Sequence, residues 1–189
     1  VPVLHCDITP QNIMMDLSEN VMKPVLFDFG LARYDGTEGA YFNRTQPSVY
    51  YCAPEVLKDS ATVESEVFSL GALLYCLLYG TFPWHGEITN LNVDSEKFIP
   101  DLLNSRNKKL RFNALESVDE HVRITVIKSL LPQVGTRFKG VDEFKNALSK
   151  EMAVSVAEVE TQQRLQVVKR TPGLGFNKIA GMEAIKSMI

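Results

Sequence analysis

Cysteine is scarce in this chain: three of 189 residues, Cys6, Cys52 and Cys76, odd in number and far apart. That spacing offers no CxxC redox or zinc pair and no disulfide framework, and it suits a reducing, cytoplasmic compartment. Long apolar runs are lacking too. The longest, Leu70 to Tyr79, is about half of the ~20 residues needed to span a bilayer. The first residues do not have the basic-then-apolar pattern of a signal peptide, so no membrane partner is expected. Positive charge is not in excess: 20 Lys and Arg against 23 Asp and Glu give a net charge of -3. No nucleic-acid partner is expected, because binding to phosphates needs a basic footprint, and Lys108, Lys109 and Arg111 read as a solvated face. With 11 Gly and 9 Pro, collagen-like and low-complexity architectures are out, and no internal repeat is visible.

What remains is an ordinary globular composition, 45% hydrophobic and 23% charged, enough for one domain or one domain with a tail. Val1-Pro2-Val3-Leu4 reads like the interior of a domain, so a fragment of a longer protein is expected. Ile13-Met14-Met15 and Pro24-Val25-Leu26-Phe27 have strand length and flank a polar turn, Asp16 to Asn20, which predicts a β-hairpin. Residues 31–52 hold Gly36, Gly39, Asn43, Thr45, Pro47 and Ser48 with no sustained period, a loop long enough to be functional or mobile. From Glu64 to Tyr79 the pattern is apolar nearly all round, which predicts a helix buried in a core and ended by Gly80 and Pro83. Ser117 and Glu120 have capping-box spacing before Val122, Val126, Ile127 and Leu130. Val141, Phe144 and Leu148 recur at i, i+3 and i+7, a further amphipathic helix.

The chemistry lies in the first thirty residues. Asp7 and Asn12 stand five apart in His5-Cys6-Asp7-Ile8-Thr9-Pro10-Gln11-Asn12, and Asp28 follows an apolar strand. A phosphoryl-transfer site needs such a set. One carboxylate accepts the proton of the attacking hydroxyl, while a second carboxylate and an amide oxygen hold magnesium against the phosphates. Taken singly, Asp7 and Asn12 also read as turn formers around Pro10, and Asp28 as a strand end. The order His-x-Asp-x-x-x-x-Asn, Asp-Phe-Gly, Ala53-Pro54-Glu55 fixes nine residues jointly, which turn formation does not require.

Those residues resemble the signature set of eukaryotic-type serine/threonine protein kinases. The resemblance runs from about Val1 to about Lys150 and covers the C-terminal lobe. It is supported by Glu66-Val67-Phe68-Ser69-Leu70-Gly71 as the central buried helix, by Gly80-Thr81-Phe82-Pro83-Trp84 as its exit, and by Arg137. It implies a mainly α (α+β) fold, a kinase-like C-lobe with a short β-hairpin at the catalytic loop and a buried central helix. It implies ATP and Mg2+ as cofactors and a protein hydroxyl as substrate. Asp7 would be the catalytic base, Asn12 and Asp28 the metal ligands, and Thr9, Asn12, Asp28 and Gly30 would face the nucleotide. His5, Glu55, Glu66 and Arg137 would be structural supports, with Glu55 and Arg137 paired.

Three positions depart from the family. Cys6 replaces the arginine before the catalytic aspartate, the usual partner of a phosphorylated activation loop, so Thr37, Thr45 and Ser48 lose that cation; Ser48, five before Ala53, fits the substrate-binding loop. Thr9 replaces a lysine that neutralises the transferred phosphoryl group, a change that suggests slow transfer, a different acceptor or a cation from elsewhere. Glu66 replaces an aspartate that braces the catalytic loop. The Gly-rich loop, strand lysine and helix glutamate of the family are not among the 189 residues, so the N-lobe is an expected partner and the chain alone should be inactive.

Three segments are expected: 1–150 as the C-terminal lobe, 151–173 as a helical or flexible linker, and 174–189 as the start of a second domain. That last segment, from Gly175-Phe176-Asn177-Lys178 to Lys186, is similar to the opening of AAA-type ATPase domains, and equally to an amphipathic terminal helix; no Walker P-loop is present. Two rival readings stand: a non-catalytic kinase-like binding or regulatory module attached to an ATPase, and a small-molecule kinase.

Overall fold

A single long helix, α2 (Val63–Tyr79), organises the structure, a computed structural model that describes residues 1–18, 22–37, 48–58, 60–88, 91–92, 95–108, 110–113, 118–149 and 166–168. Val67, Phe68, Ala72, Leu73, Tyr75, Cys76 and Tyr79 are all buried, so α2 is enclosed rather than one-sided. Its start is set by Thr62, extended at φ -139°, whose N–H donates to Ser65 Oγ at 3.0 Å. Its end is set by Gly80 in the left-handed region at φ 68°, where glycine avoids the Cβ clash.

The chain reaches α2 through four short strands, β1 (Val3–Leu4), β2 (Ile13–Asp16), β3 (Lys23–Leu26) and β4 (Arg33–Tyr34), and one helical turn, α1 (Ser48–Tyr51). β2 and β3 form an antiparallel hairpin with Ile13 opposite Leu26 and Asp16 opposite Lys23. β1 pairs antiparallel with β4, Leu4 opposite Arg33, so the chain before the loop 5–12 is clamped to the chain after Asp28. Residues 31–52 are therefore structured at both ends, by β4 and α1. Residues 38–47, with Gly39, Asn43, Thr45 and Pro47, lie outside the described residues.

Beyond α2 come α3 (His85–Ile88), α4 (Phe98–Arg106), β5 (Arg111–Asn113), α5 (Glu120–Ser129), α6 (Val141–Leu148) and β6 (Gln166–Val168). α5 crosses α2 at Gly71, where an added Cβ would fall 1.9 Å from Ser129 Oγ and 2.7 Å from Ser129 Cβ. Glycine is required there by the approach of the helices. α5 begins at Glu120 with Asp119 as its N-cap, so Glu120 is the first helical residue and not the third position of a Ser117 box; Ser117 itself is outside the described residues. In α6 the buried face is Phe144 and Ala147, against Val67 and Phe138, while Val141 in the first turn is exposed. β6, within the stretch read as a linker, pairs parallel with β5. The residues of the expected second domain, 174–189, are outside the described set. The described residues thus make a mainly helical fold with small two-stranded sheets, and no helix among them is long and apolar enough to cross a membrane.

Candidate active site

The loop between β1 and β2 is held from below by α2. Glu66, 9% exposed, reaches it with both carboxylate oxygens: Oε2 accepts the His5 N–H at 2.8 Å and Oε1 the Cys6 N–H at 3.0 Å. Burial raises the Glu66 pKa, and the two amide hydrogen bonds partly oppose it. Each oxygen takes one amide. Fixed in this way, Cys6 sits at φ 65°, in the left-handed region that a non-glycine residue enters only when its surroundings impose it.

His5 ties this loop to the strand end before Asp28. Its Nε2 lies 2.9 Å from the Phe27 carbonyl, its Nδ1 accepts the Asp7 N–H at 3.3 Å, and its ring packs against Phe29 with centroids 4.8 Å apart. Nδ1 accepts, so Nε2 carries the proton.

Asp7 and Asn12 meet directly. Asn12 Nδ2 donates to the Asp7 backbone carbonyl at 2.8 Å and to Asp7 Oδ2 at 2.9 Å. The 3-10 turn Pro10–Asn12 makes this possible, because it folds the chain back so that Asn12 N–H donates to Thr9 O at 3.1 Å. Both side-chain hydrogen bonds of Asn12 use its nitrogen, and the hydrogen bonds of the described residues leave its amide oxygen unused. Phe27 N–H donates to the Asn12 carbonyl at 3.0 Å, which brings Asp28 to the same end of the hairpin. Asp28 is exposed, left-handed at φ 62° and ψ 73°, and its Oδ1 accepts the Gly30 N–H at 3.2 Å. A Cβ on Gly30 would lie 3.1 Å from that oxygen, so glycine leaves the carboxylate room.

The other predicted residues are placed differently. Thr9 is 1% exposed, packed into the protein and not open at the surface. Glu55 and Arg137 form a bidentate pair, Nη1–Oε1 2.6 Å and Nη2–Oε2 2.9 Å, with the Arg137 side chain fully buried. Arg137 also donates from Nε to Leu131 O (2.6 Å), from Nη1 to Glu64 O (3.1 Å) and from Nη2 to Pro132 O (3.0 Å). Ser65 Oγ donates to Glu55 Oε1 at 2.7 Å.

Sequence reasoning missed Arg33 and Arg106. Arg33 approaches the Cys6 thiol and partly offsets the rise in pKa that burial and Glu66 cause there. Arg106 is fully buried, and burial lowers its pKa to about 10, so it stays charged at neutral pH. A buried arginine inside a run of polar residues leaves no periodic signal. Cys52 and Cys76 are pushed up to about 12 by burial, which keeps both as inert thiols.

A family model described as "Protein kinase domain" matches residues 2–165. The chain is 30% identical over 128 residues to serine/threonine-protein kinase dkf-2 of Caenorhabditis briggsae, covering 67% of this chain and 10% of that protein. It is 27% identical over 195 aligned positions to calcium-dependent protein kinase 2 of Oryza sativa subsp. japonica, covering 88% of this chain and 37% of the relative. The chain thus spans well under half the length of these relatives. The match takes in the loop that joins Asp7 to Asn12, the hairpin that carries Asp28 and the Glu55–Arg137 pair, and on that extent the chain belongs to the protein kinase family.

Proposed function

We propose that this chain is the C-terminal lobe of a serine/threonine protein kinase whose parent protein transfers the γ-phosphoryl group of ATP to a protein hydroxyl. The observation that carries the reading is the Asp7–Asn12 contact at 2.9 Å, joined through the Phe27–Asn12 hydrogen bond to Asp28. Asn12 occupies Asp7 Oδ2 and orients the carboxylate, which leaves Oδ1 to accept the proton of an incoming hydroxyl. The free amide oxygen of Asn12 and the exposed carboxylate of Asp28 are hard oxygen donors of the type magnesium selects. Bound Mg2+–ATP supplies the phosphoryl group and neutralises its charge; the chain's residues orient the acceptor, take its proton and hold the metal side of the site. Gly30 completes the set; Thr9, expected to face the nucleotide, is buried instead and contributes no cation.

An apolar surface supports a missing N-terminal lobe. Val25, Phe27 and Phe29 are 43%, 38% and 58% exposed, and Met14 on the paired strand is 57% exposed. With the Gly-rich loop and strand lysine not among the 189 residues, the chain alone should transfer no phosphate.

The test follows γ-labelled ATP into protein with the parent protein, Asp7→Asn and Asp28→Asn. Loss of label with either substitution supports the assignment, because each removes a carboxylate that no neighbour replaces. The buried Thr9 favours a second reading, a kinase-like binding module. Under that reading the wild-type parent transfers nothing, and label is absent from all three.

A further inference from the structure

Arg106 closes α4 with no exposure to solvent. Its Nη2 donates to the carbonyl oxygens of Val49 at 3.0 Å and Tyr50 at 2.9 Å, both in α1. Its Cζ lies 4.7 Å from the centroid of the Trp84 ring and 5.6 Å from that of Phe68. Those two rings are themselves stacked, 6.0 Å apart with planes 8° from parallel. No carboxylate among the described residues pairs with Arg106, and its Nε and Nη1 have no hydrogen-bond partner there. A buried cation with two idle donors is a poor device for stability, since desolvation is only partly offset. Its specific effect is on backbone position: one nitrogen grips two consecutive carbonyls, and the aromatic faces fix the guanidinium plane.

The gripped residues lead directly into Ala53-Pro54-Glu55, whose far end is held by Arg137. The Arg137 Cζ lies 4.9 Å from the same Phe68 ring. Two arginines against one phenylalanine therefore hold the two ends of residues 48–55. Neither of the carbonyls that Arg106 holds belongs to Asp7, Asn12 or Asp28, which are tied through His5, Glu66 and Phe27 instead.

We infer that Arg106 is a positioning residue: it fixes the buried turn Ser48–Tyr51, and through it the following segment to Glu55 on which the protein substrate would dock, and it does not act on the phosphoryl transfer itself. The inference rests on the kinase reading for its substrate and on hydrogen-bond geometry for its position.

The experiment compares the full parent protein with Arg106→Met and Arg106→Lys, using dephosphorylated casein as acceptor. Three quantities are read: KM and kcat for casein, ATP hydrolysis without acceptor, and amide hydrogen exchange at Tyr50 to Ala53. For Arg106→Met we expect KM for casein to rise about tenfold, with kcat and acceptor-free hydrolysis within about twofold, and faster exchange at Tyr50 to Ala53. Arg106→Lys keeps a cation that can reach both carbonyls but lacks the planar face, so it should recover part of KM. Unchanged KM, an equal fall in kcat, or unchanged exchange in a folded variant overturns the inference. If Arg106→Met does not fold, Arg106→Lys carries the same readings. If the wild-type protein labels no casein, the kinase reading fails, and exchange alone decides: faster at Tyr50 to Ala53 supports the positioning role, unchanged refutes it.

Discussion

Replacing Arg137 by alanine removes a fully buried guanidinium that makes five hydrogen bonds of 2.6–3.1 Å, two of them to the Glu55 carboxylate. The Glu55 side chain, 12% exposed, would be left with Ser65 Oγ as its remaining side-chain donor. Breaking a buried ion pair from one side costs about 3–5 kcal/mol, because the surviving charge is left uncompensated. The carbonyls of Leu131, Glu64 and Pro132 also lose a donor, so the upper half of that range is expected; the losses share one side chain and do not add. A domain's stability is about 5–15 kcal/mol, so the change removes a large part of it. The assay is urea unfolding followed by the fluorescence of Trp84, the only tryptophan, which is buried and stacked on Phe68 beside the pair. With m near 2 kcal/mol/M, the midpoint should fall by about 2 M. Arg137→Lys keeps the charge but not the two-pronged geometry and should fall about half as far. A midpoint shift under about 0.5 M at unchanged m for Arg137→Ala would refute the assignment of this pair as a principal tie between the segment ending at Glu55 and the helices.

Other perturbations probe separate contacts. Gly71→Ala drives a methyl into Ser129 and forces α5 off α2; a loss of about 1–3 kcal/mol in urea unfolding is expected, and Gly71→Ala with Ser129→Gly should recover most of it. Glu66→Gln replaces one acceptor oxygen by an NH2 that faces an amide N–H, so about 1–3 kcal/mol should be lost. Because burial raises the Glu66 pKa, its contribution is full below the ordinary carboxylate range and declines as pH rises through the raised value. The wild type should show that slope as pH rises above the ordinary carboxylate range, and Glu66→Gln should lack it. Asn12→Ala frees Asp7 Oδ2 and should lower kcat in the parent protein with little change in stability, measured by label transfer beside urea unfolding.

Much of this arrangement was legible because it is local. The hairpin could be read from two apolar runs around a polar turn, and α2 from an apolar pattern closed by Gly80. Asp7 and Asn12 are close because five residues with a proline at position 10 make one tight turn. What was illegible depends on partners remote in sequence. Arg106 meets Val49 and Tyr50 across 57 and 56 positions, and its neighbours in sequence are polar, so nothing local marks it as buried. The start of α5 was misplaced by two residues because a Ser–Glu spacing satisfies the capping pattern whether or not the backbone folds there. Burial of Thr9 follows from the turn that positions Asn12, and nothing in its own sequence neighbourhood marks it.

The polar residues of α2 show why a helix surrounded by apolar packing is interrupted where it is. Within four consecutive residues, Ser65 donates to Glu55, Glu66 accepts from the amides of His5 and Cys6, and Phe68 packs against both Arg106 and Arg137. One turn of one helix therefore bears on the loop that holds Asp7, on Glu55 at one end of residues 48–55 and on the arginine that grips their other end. Burying a carboxylate there costs stability, as its raised pKa records. An apolar residue at position 66 would avoid that cost and leave the His5 and Cys6 amides without an acceptor, freeing the left-handed backbone on which the placement of Asp7 depends. The buried charge is kept because the geometry of the loop that holds Asp7 is set from the core and not from the loop's own residues.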